Sequence, residues 1–135
     1  MTKRNAQSPR VRPPLTDLEN EIMRVVWSHG PSSVEAVHGA LAPARRLKES
    51  SVRTMLRRLE AKGYLKHESD ERAYIYRSAE APRRIAARAV RQIIDRFCLG
   101  SVEELVTGMV DAQVLSEDEL EQLASLARRR MKGGR

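Results

Sequence analysis

Cysteine, aromatic side chains and long apolar runs are scarce in this chain, and each scarcity excludes something. Cys98 is the only cysteine among 135 residues, so no intrachain disulfide can form. It follows Phe97 on an apolar stretch, where a buried, inert thiol is the expectation. Aromatic residues make up 4% of the chain, few for a protein that grips single strands by stacking their bases. No apolar run approaches the ~20 residues of a membrane-spanning helix. Residues 1–14 also lack the apolar centre of a signal peptide. A soluble, cytoplasmic protein without membrane insertion is the expectation.

Catalytic patterns are missing as well. His29, His38 and His67 have no metal-ligand spacing, and the chain has neither a His-Glu-x-x-His nor a Cys-x-x-Cys pair. It has no phosphate-binding glycine loop and no serine nucleophile elbow. An enzyme, a bound metal and a cofactor are therefore not expected. The acidic cluster at 117–121 reads as a helix start, where negative charge is favoured.

Positive charge is what the chain has in excess. With 25 Lys and Arg against 18 Asp and Glu, the net charge is +7, and an anionic partner is expected. Nucleic acid and anionic membrane both qualify; the low aromatic content favours duplex over single-stranded nucleic acid. The charge is also segregated. Residues 45–58 hold Arg45, Arg46, Lys48, Arg53, Arg57 and Arg58 against only Glu49, whereas residues 103–121 are acidic and contain no base.

Apolar periodicity divides the chain. Residues 1–14, with Lys3, Arg4, Arg10 and Arg12 and three prolines, read as a disordered basic arm. Such an arm is either a solvated tail or a phosphate or minor-groove contact. Thr16 and Glu19 form a capping box opening a first helix with Leu18, Ile22, Val25 and Val26 on one stripe; Gly30-Pro31 ends it. Ser32 and Glu35 are expected to cap a second, short helix. A third is expected from Ser50 or Ser51 to Gly63, with Val52, Met55, Leu56 and Leu59 inward. Tyr64-Leu65-Lys66 and Ala73-Tyr74-Ile75-Tyr76 then read as two strands around a polar turn. Three helices and a hairpin are the order of a winged helix-turn-helix, placed at 15–79.

Residues 80–131 read as three further helices, opened by Pro82, by Ser101 with Glu104 and by Ser116 with Glu119, with a short tail at 132–135. Their apolar stripes carry Ile85, Ala89, Ile93 and Phe97 on the first helix, Leu105 on the second, and Leu120, Leu123 and Ala127 on the third. Burial against a second copy covers such stripes economically, so these residues are candidates for dimerisation. Packing back onto the winged helix is the alternative. The fold expected is mainly α with a small β-hairpin wing, a winged helix-turn-helix followed by a helical dimerisation region.

On the third helix, Ser50, Arg53, Thr54 and Arg57 lie opposite the apolar arc, with Arg58 at its margin. Arginine matches the two acceptors of guanine in the major groove, a pairing that discriminates by ~1–3 kcal/mol. Arg53, Thr54 and Arg57 are the base-reading candidates. Ser50 and Ser51 at the helix start suit a phosphate, and Arg45, Arg46, Lys48, Arg58 and Arg72 of the wing are further backbone candidates. Tyr74 and Tyr76, on one strand face, read as packing residues.

These residues resemble a known family. Leu15-Thr16-Asp17-Leu18-Glu19 with Val26-Trp27, the run Ser51 to Leu59 with Lys62-Gly63-Tyr64-Leu65, and Arg72-Ala73-Tyr74-Ile75-Tyr76 are similar, in order and spacing, to the penicillinase-repressor family (BlaI/MecI/CopY). The resemblance implies a homodimer on an inverted-repeat DNA operator, blocking transcription, with the third helix in the major groove. It also implies release through the C-terminal region by a membrane sensor protease. Departures are visible. Glu71 stands where the family often has glycine. Thr107-Gly108-Met109-Val110 lacks the Asn-Phe bond cut in beta-lactam-responsive members, and the tail lacks the paired cysteines of copper-responsive ones. Two rival functions share the same charge pattern: a winged helix that binds an acidic protein, and an architectural DNA-binding protein without sequence preference.

Overall fold

Thr16 and Glu19 start the first helix, α1 (Asp17–His29), as a reciprocal pair. The Thr16 hydroxyl accepts from the Glu19 backbone N–H at 3.1 Å, and the Glu19 carboxylate accepts from the Thr16 N–H at 3.0 Å. The computed structural model of the protein describes residues 11–133. Gly30, at φ 88°, ends α1 and turns the chain into β1 (Ser32–Ser33). Next come α2 (Val34–Leu41), α3 (Glu49–Ala61), β2 (Leu65–Asp70), β3 (Ala73–Ser78), α4 (Pro82–Phe97), α5 (Val102–Asp111) and α6 (Glu117–Gly133).

The sheet has three antiparallel strands in the order β1-β3-β2. The expected hairpin is its larger part: Leu65 pairs with Ser78 and Asp70 with Ala73. The third strand was not expected. Ser32 pairs with Tyr76 and Ser33 with Ile75, tying the segment before α2 to the wing. Ser32 therefore does not cap α2. Its hydroxyl donates to the Gly30 carbonyl at 2.7 Å, and Ser33 caps the helix by accepting from the Ala36 N–H.

The core of this half is built from the stripes the sequence marks. Ile22, Met23 and Val26 of α1 pack with Val37 and Leu41 of α2 and with Val52, Leu56 and Leu59 of α3, closed by Leu65 and Tyr76 from the sheet. Removing a side chain such as Leu56 from water contributes roughly 1.5–3 kcal/mol. Two polar links brace the shell. The Trp27 indole N–H donates to the Ser78 hydroxyl at 3.1 Å, and His38 Nε2–H donates to the Leu47 carbonyl at 2.7 Å. At the end of α3, Gly63 adopts φ 92°; its N–H bonds to Glu60 O, and the Tyr64 N–H reaches back to Leu59 O. This double closure is a Schellman motif, and it aims the chain into β2.

Arg12 corrects the reading of residues 1–14 as a solvated arm. It is buried, donating to Gly63 O at 2.9 Å and to Glu80 at 2.6 Å, with its guanidinium 5.5 Å from the centre of the Tyr64 ring. Pro13 O accepts from the Tyr64 hydroxyl and Pro14 O from Lys62. The segment binds because it offers carbonyls and a guanidinium to groups that the end of α3 leaves open. Residues 1–10 of the expected arm lie outside the described residues.

The chain divides into two compact units after Val90, inside α4. Ile85, a dimerisation candidate in the sequence, does not lie on a free face. It is buried in the N-terminal core and carries the first turns of α4 with it. In the second unit, Ser101 caps α5 by accepting from the Glu104 N–H. Ser116 and Glu119 make a full capping box for α6, both as expected. Helix α6 continues past the expected end at Met131 to Gly133, and residues 134–135 lie outside the described range.

Candidate nucleic-acid interface

Helix α3 buries Val52, Leu56 and Leu59, which turns Ser50, Thr54, Arg57 and Arg58 to solvent and leaves Arg53 half-buried at the edge. The helix starts earlier than the sequence suggests. Lys48 occupies the N-cap without a side-chain hydrogen bond, so Ser50 and Ser51 lie within the first turn and cap nothing. Glu49 at the first helical position favours that start through the helix dipole. An N-terminus without a side-chain cap leaves its first amides open to an external acceptor.

The base-reading candidates stand in order along this face. Arg53 lies 3.5 Å from Glu49 one turn back, a loose contact between two partly exposed groups. The Thr54 hydroxyl donates to Ser50 O at 3.1 Å, which leaves its oxygen as an acceptor and its methyl group for apolar contact. Arg57 is exposed, and no ion pair of its own occurs among the described residues.

Between α3 and the wing runs a groove of about 450 Å³. Arg53 and Arg57 line it from the helix and Arg72 and Tyr74 from the hairpin, with Glu35 of α2 and Glu71 of the turn also in its lining. Three arginines from two elements thus converge on one concavity, which suits a polyanionic strand. The wing is fastened to α3 at its base. His67 Nδ1 lies 2.8 Å from both carboxylate oxygens of Glu60, so its N–H donates there, and its ring stacks on Tyr74 at 4.1 Å between centroids.

The other backbone candidates are placed differently. Arg46 and Lys48 are exposed on the loop before α3. Arg45 is turned against α1, where its Nε donates to Glu21 at 3.1 Å. That hydrogen bond, opposed by a little burial, holds the Glu21 carboxyl below its usual range and raises the guanidinium. Tyr76 is a core residue as expected, but Tyr74 is 46% exposed on the groove wall. Alternation puts both rings on one strand face, yet Tyr76 joins the core and Tyr74 does not.

Most of the apolar candidates for association are exposed in the single chain. Phe97 is 79% exposed and Leu99, at φ 51° in the turn after α4, is 94% exposed. Ile93, Leu123 and Leu126 are also exposed, Ala89 and Ala127 lie at the surface, and Leu105 and Leu120 are half-buried; neither α5 nor α6 contains a buried residue. Among the described residues no helix is long and apolar enough to cross a membrane.

The family of penicillinase repressors matches residues 15–129. The chain is 34% identical over 114 residues to the transcriptional regulator BlaI of Mycobacterium tuberculosis, covering 83% of this chain and 68% of that one. It is 26% identical over 111 residues to the penicillinase repressor of Bacillus licheniformis, covering 82% and 87%. The solution structure of monomeric Bacillus licheniformis BlaI with the blaP half-operator is 29% identical, covers 53% of this chain and 88% of that one, and superposes with a TM-score of 0.47. With its winged helix and a match running almost from end to end, the chain belongs to the penicillinase-repressor family of DNA-binding transcriptional regulators.

Proposed function

We propose that this protein acts in the cytoplasm as a homodimeric repressor of an inverted-repeat operator, each protomer placing α3 in the major groove of one half-site. The observation that carries the reading is the convergence of Arg53, Arg57 and Arg72 on one groove beside the exposed Thr54. Arg53, Thr54 and Arg57 read base edges. Ser50, Ser51, Arg46, Lys48, Arg58 and Arg72 hold phosphates, with Arg45 joining them once it leaves Glu21. Phosphate contacts give one protomer a modest, salt-sensitive affinity; joining two raises it on the order of 10²–10⁴ through effective concentration.

Dimerisation is then the point of control. The apolar faces of Ala89, Ile93, Phe97, Leu105, Leu120, Leu123 and Ala127 are what a second copy covers. The exposure of Ala89, Ile93, Phe97, Leu123 and Ala127 in the single chain supports that role. Cutting or separating the region 97–116 releases the operator, and a membrane sensor protease is the agent we favour. Thr107–Val110, which lacks the Asn-Phe bond, lies inside α5, and the region 97–116 also contains the turns on either side of that helix. Replacing Arg53 and Arg57 with alanine tests the function: the folded dimer should lose operator preference. A variant that still selects the same duplex would sink it, as would a small molecule that releases the operator without cleavage for the control mechanism.

A further inference from the structure

The wing contains an arrangement that arginine contacts do not explain. Glu60, one turn beyond Arg57 on α3, binds His67 of β2, and His67 stacks face to face on Tyr74 of β3 with 21° between the planes. Tyr76 closes the cluster from below, its ring 5.7 Å from His67 and 6.4 Å from Tyr74. Tyr74 is thus fixed from one side by a chain of contacts that begins on the recognition helix. Tyr74 also lines the groove, together with Arg53, Arg57 and Arg72. A solvated tyrosine would need no such support, and a packing tyrosine would be covered as Tyr76 is.

We propose that Tyr74 is a DNA-contact residue, its hydroxyl donating to a phosphodiester oxygen of the strand in the groove, and that His67 is its positioning residue. The inference rests on the DNA-binding reading of the same groove. Tyrosine hydroxyls commonly serve phosphates, where they fix the register of the protein and carry no base information. Holding the ring before the strand arrives removes the entropy of ordering it at binding. The Glu60–His67 bond also ties wing to helix, so the two walls of the groove keep their spacing.

The test compares Tyr74→Phe, His67→Ala, their combination, Arg57→Ala and Arg72→Ala. Each is titrated against a duplex selected from a random pool and against a scrambled duplex of the same length. Tyr74→Phe keeps the stack and should keep the melting temperature. It should weaken both duplexes equally, by ~10-fold, as loss of one hydrogen bond to a charged acceptor does. The salt dependence should be unchanged, because no cation is removed, whereas Arg72→Ala should lower its slope by about 1. His67→Ala should cost a similar factor, and the double variant little more. Wild-type affinity for Tyr74→Phe overturns the contact, and additive losses in the double variant overturn the positioning role. Arg57→Ala reports separately: if it keeps the preference for the selected duplex, the base-reading assignment fails while the Tyr74 result stands.

Discussion

Arg12 and Glu80 lie 68 positions apart in sequence, yet their side chains meet at 2.6 Å with only 6% and 16% of their surface exposed. Glu80 also receives Arg84 and Arg88 from the first turns of α4, so one carboxylate joins the N-terminal segment, the end of β3 and the start of the next helix.

That carboxylate gives the fold an acid-sensitive point. The Arg12 hydrogen bond, opposed by burial and helped by Arg88, lowers the Glu80 pKa from 4.5 to about 2. A carboxyl depressed on folding stabilises above its unfolded pKa and loses that contribution as pH falls toward its folded one. Glu80→Gln should therefore cost on the order of 2–3 kcal/mol at neutral pH, after allowance for partial exposure. The difference should shrink as pH drops from about 5 to about 2.5. Urea unfolding of both proteins across that range is the check, and a gap independent of pH would contradict it.

Lys62 and Glu19 make a second such pair at 2.7 Å, with Glu19 almost fully enclosed. Burial pushes the Glu19 carboxyl up, but the hydrogen bonds from Lys62 and from Thr16 outweigh it and hold the group low. Lys62→Met leaves the carboxylate inside with half of its partners, which should cost ~2–4 kcal/mol at neutral pH and less in acid. Thermal melts at two pH values would show this; an unchanged melting temperature would mean that Glu19 relaxes into water.

Base and backbone contacts should separate by mutation. Arg57→Ala should lose about 1–3 kcal/mol on the selected duplex and little on a scrambled one. Lys48→Ala should weaken both alike and flatten the salt dependence. Fluorescence anisotropy at several salt concentrations distinguishes the two patterns, and identical behaviour of the two variants would remove the base-reading role.

Association should depend on the uncovered apolar face. Leu123→Asp places a charge where a second copy would lie. It should yield monomers by sedimentation, with half-site binding intact and full-site affinity lower by on the order of 100-fold. A dimer that persists would move the interface elsewhere.

Much of the fold was legible because its signals are local. The Thr16–Glu19, Ser101–Glu104 and Ser116–Glu119 pairs each sit within one helical turn, and the α3 stripe is periodic enough to name its buried face from sequence. What was hidden depends on contacts across the chain. Ser32–Ser33 is too short to show strand periodicity and exists through its pairing with β3. Arg12 looked like part of an arm because its acid partner lies beyond the wing. Ile85 continues the α4 stripe, and nothing local shows that this end of it faces the N-terminal core. Tyr74 and Tyr76 share a strand face, so alternation alone could not separate a core ring from one on the groove wall.

Selection of bound duplexes from a random pool, at near-physiological salt, tests the central claim most directly. A homodimer reading bases through α3 should enrich a short inverted repeat whose half-sites share one sequence. Retention of DNA with no enriched sequence would contradict that account and leave an architectural protein in its place.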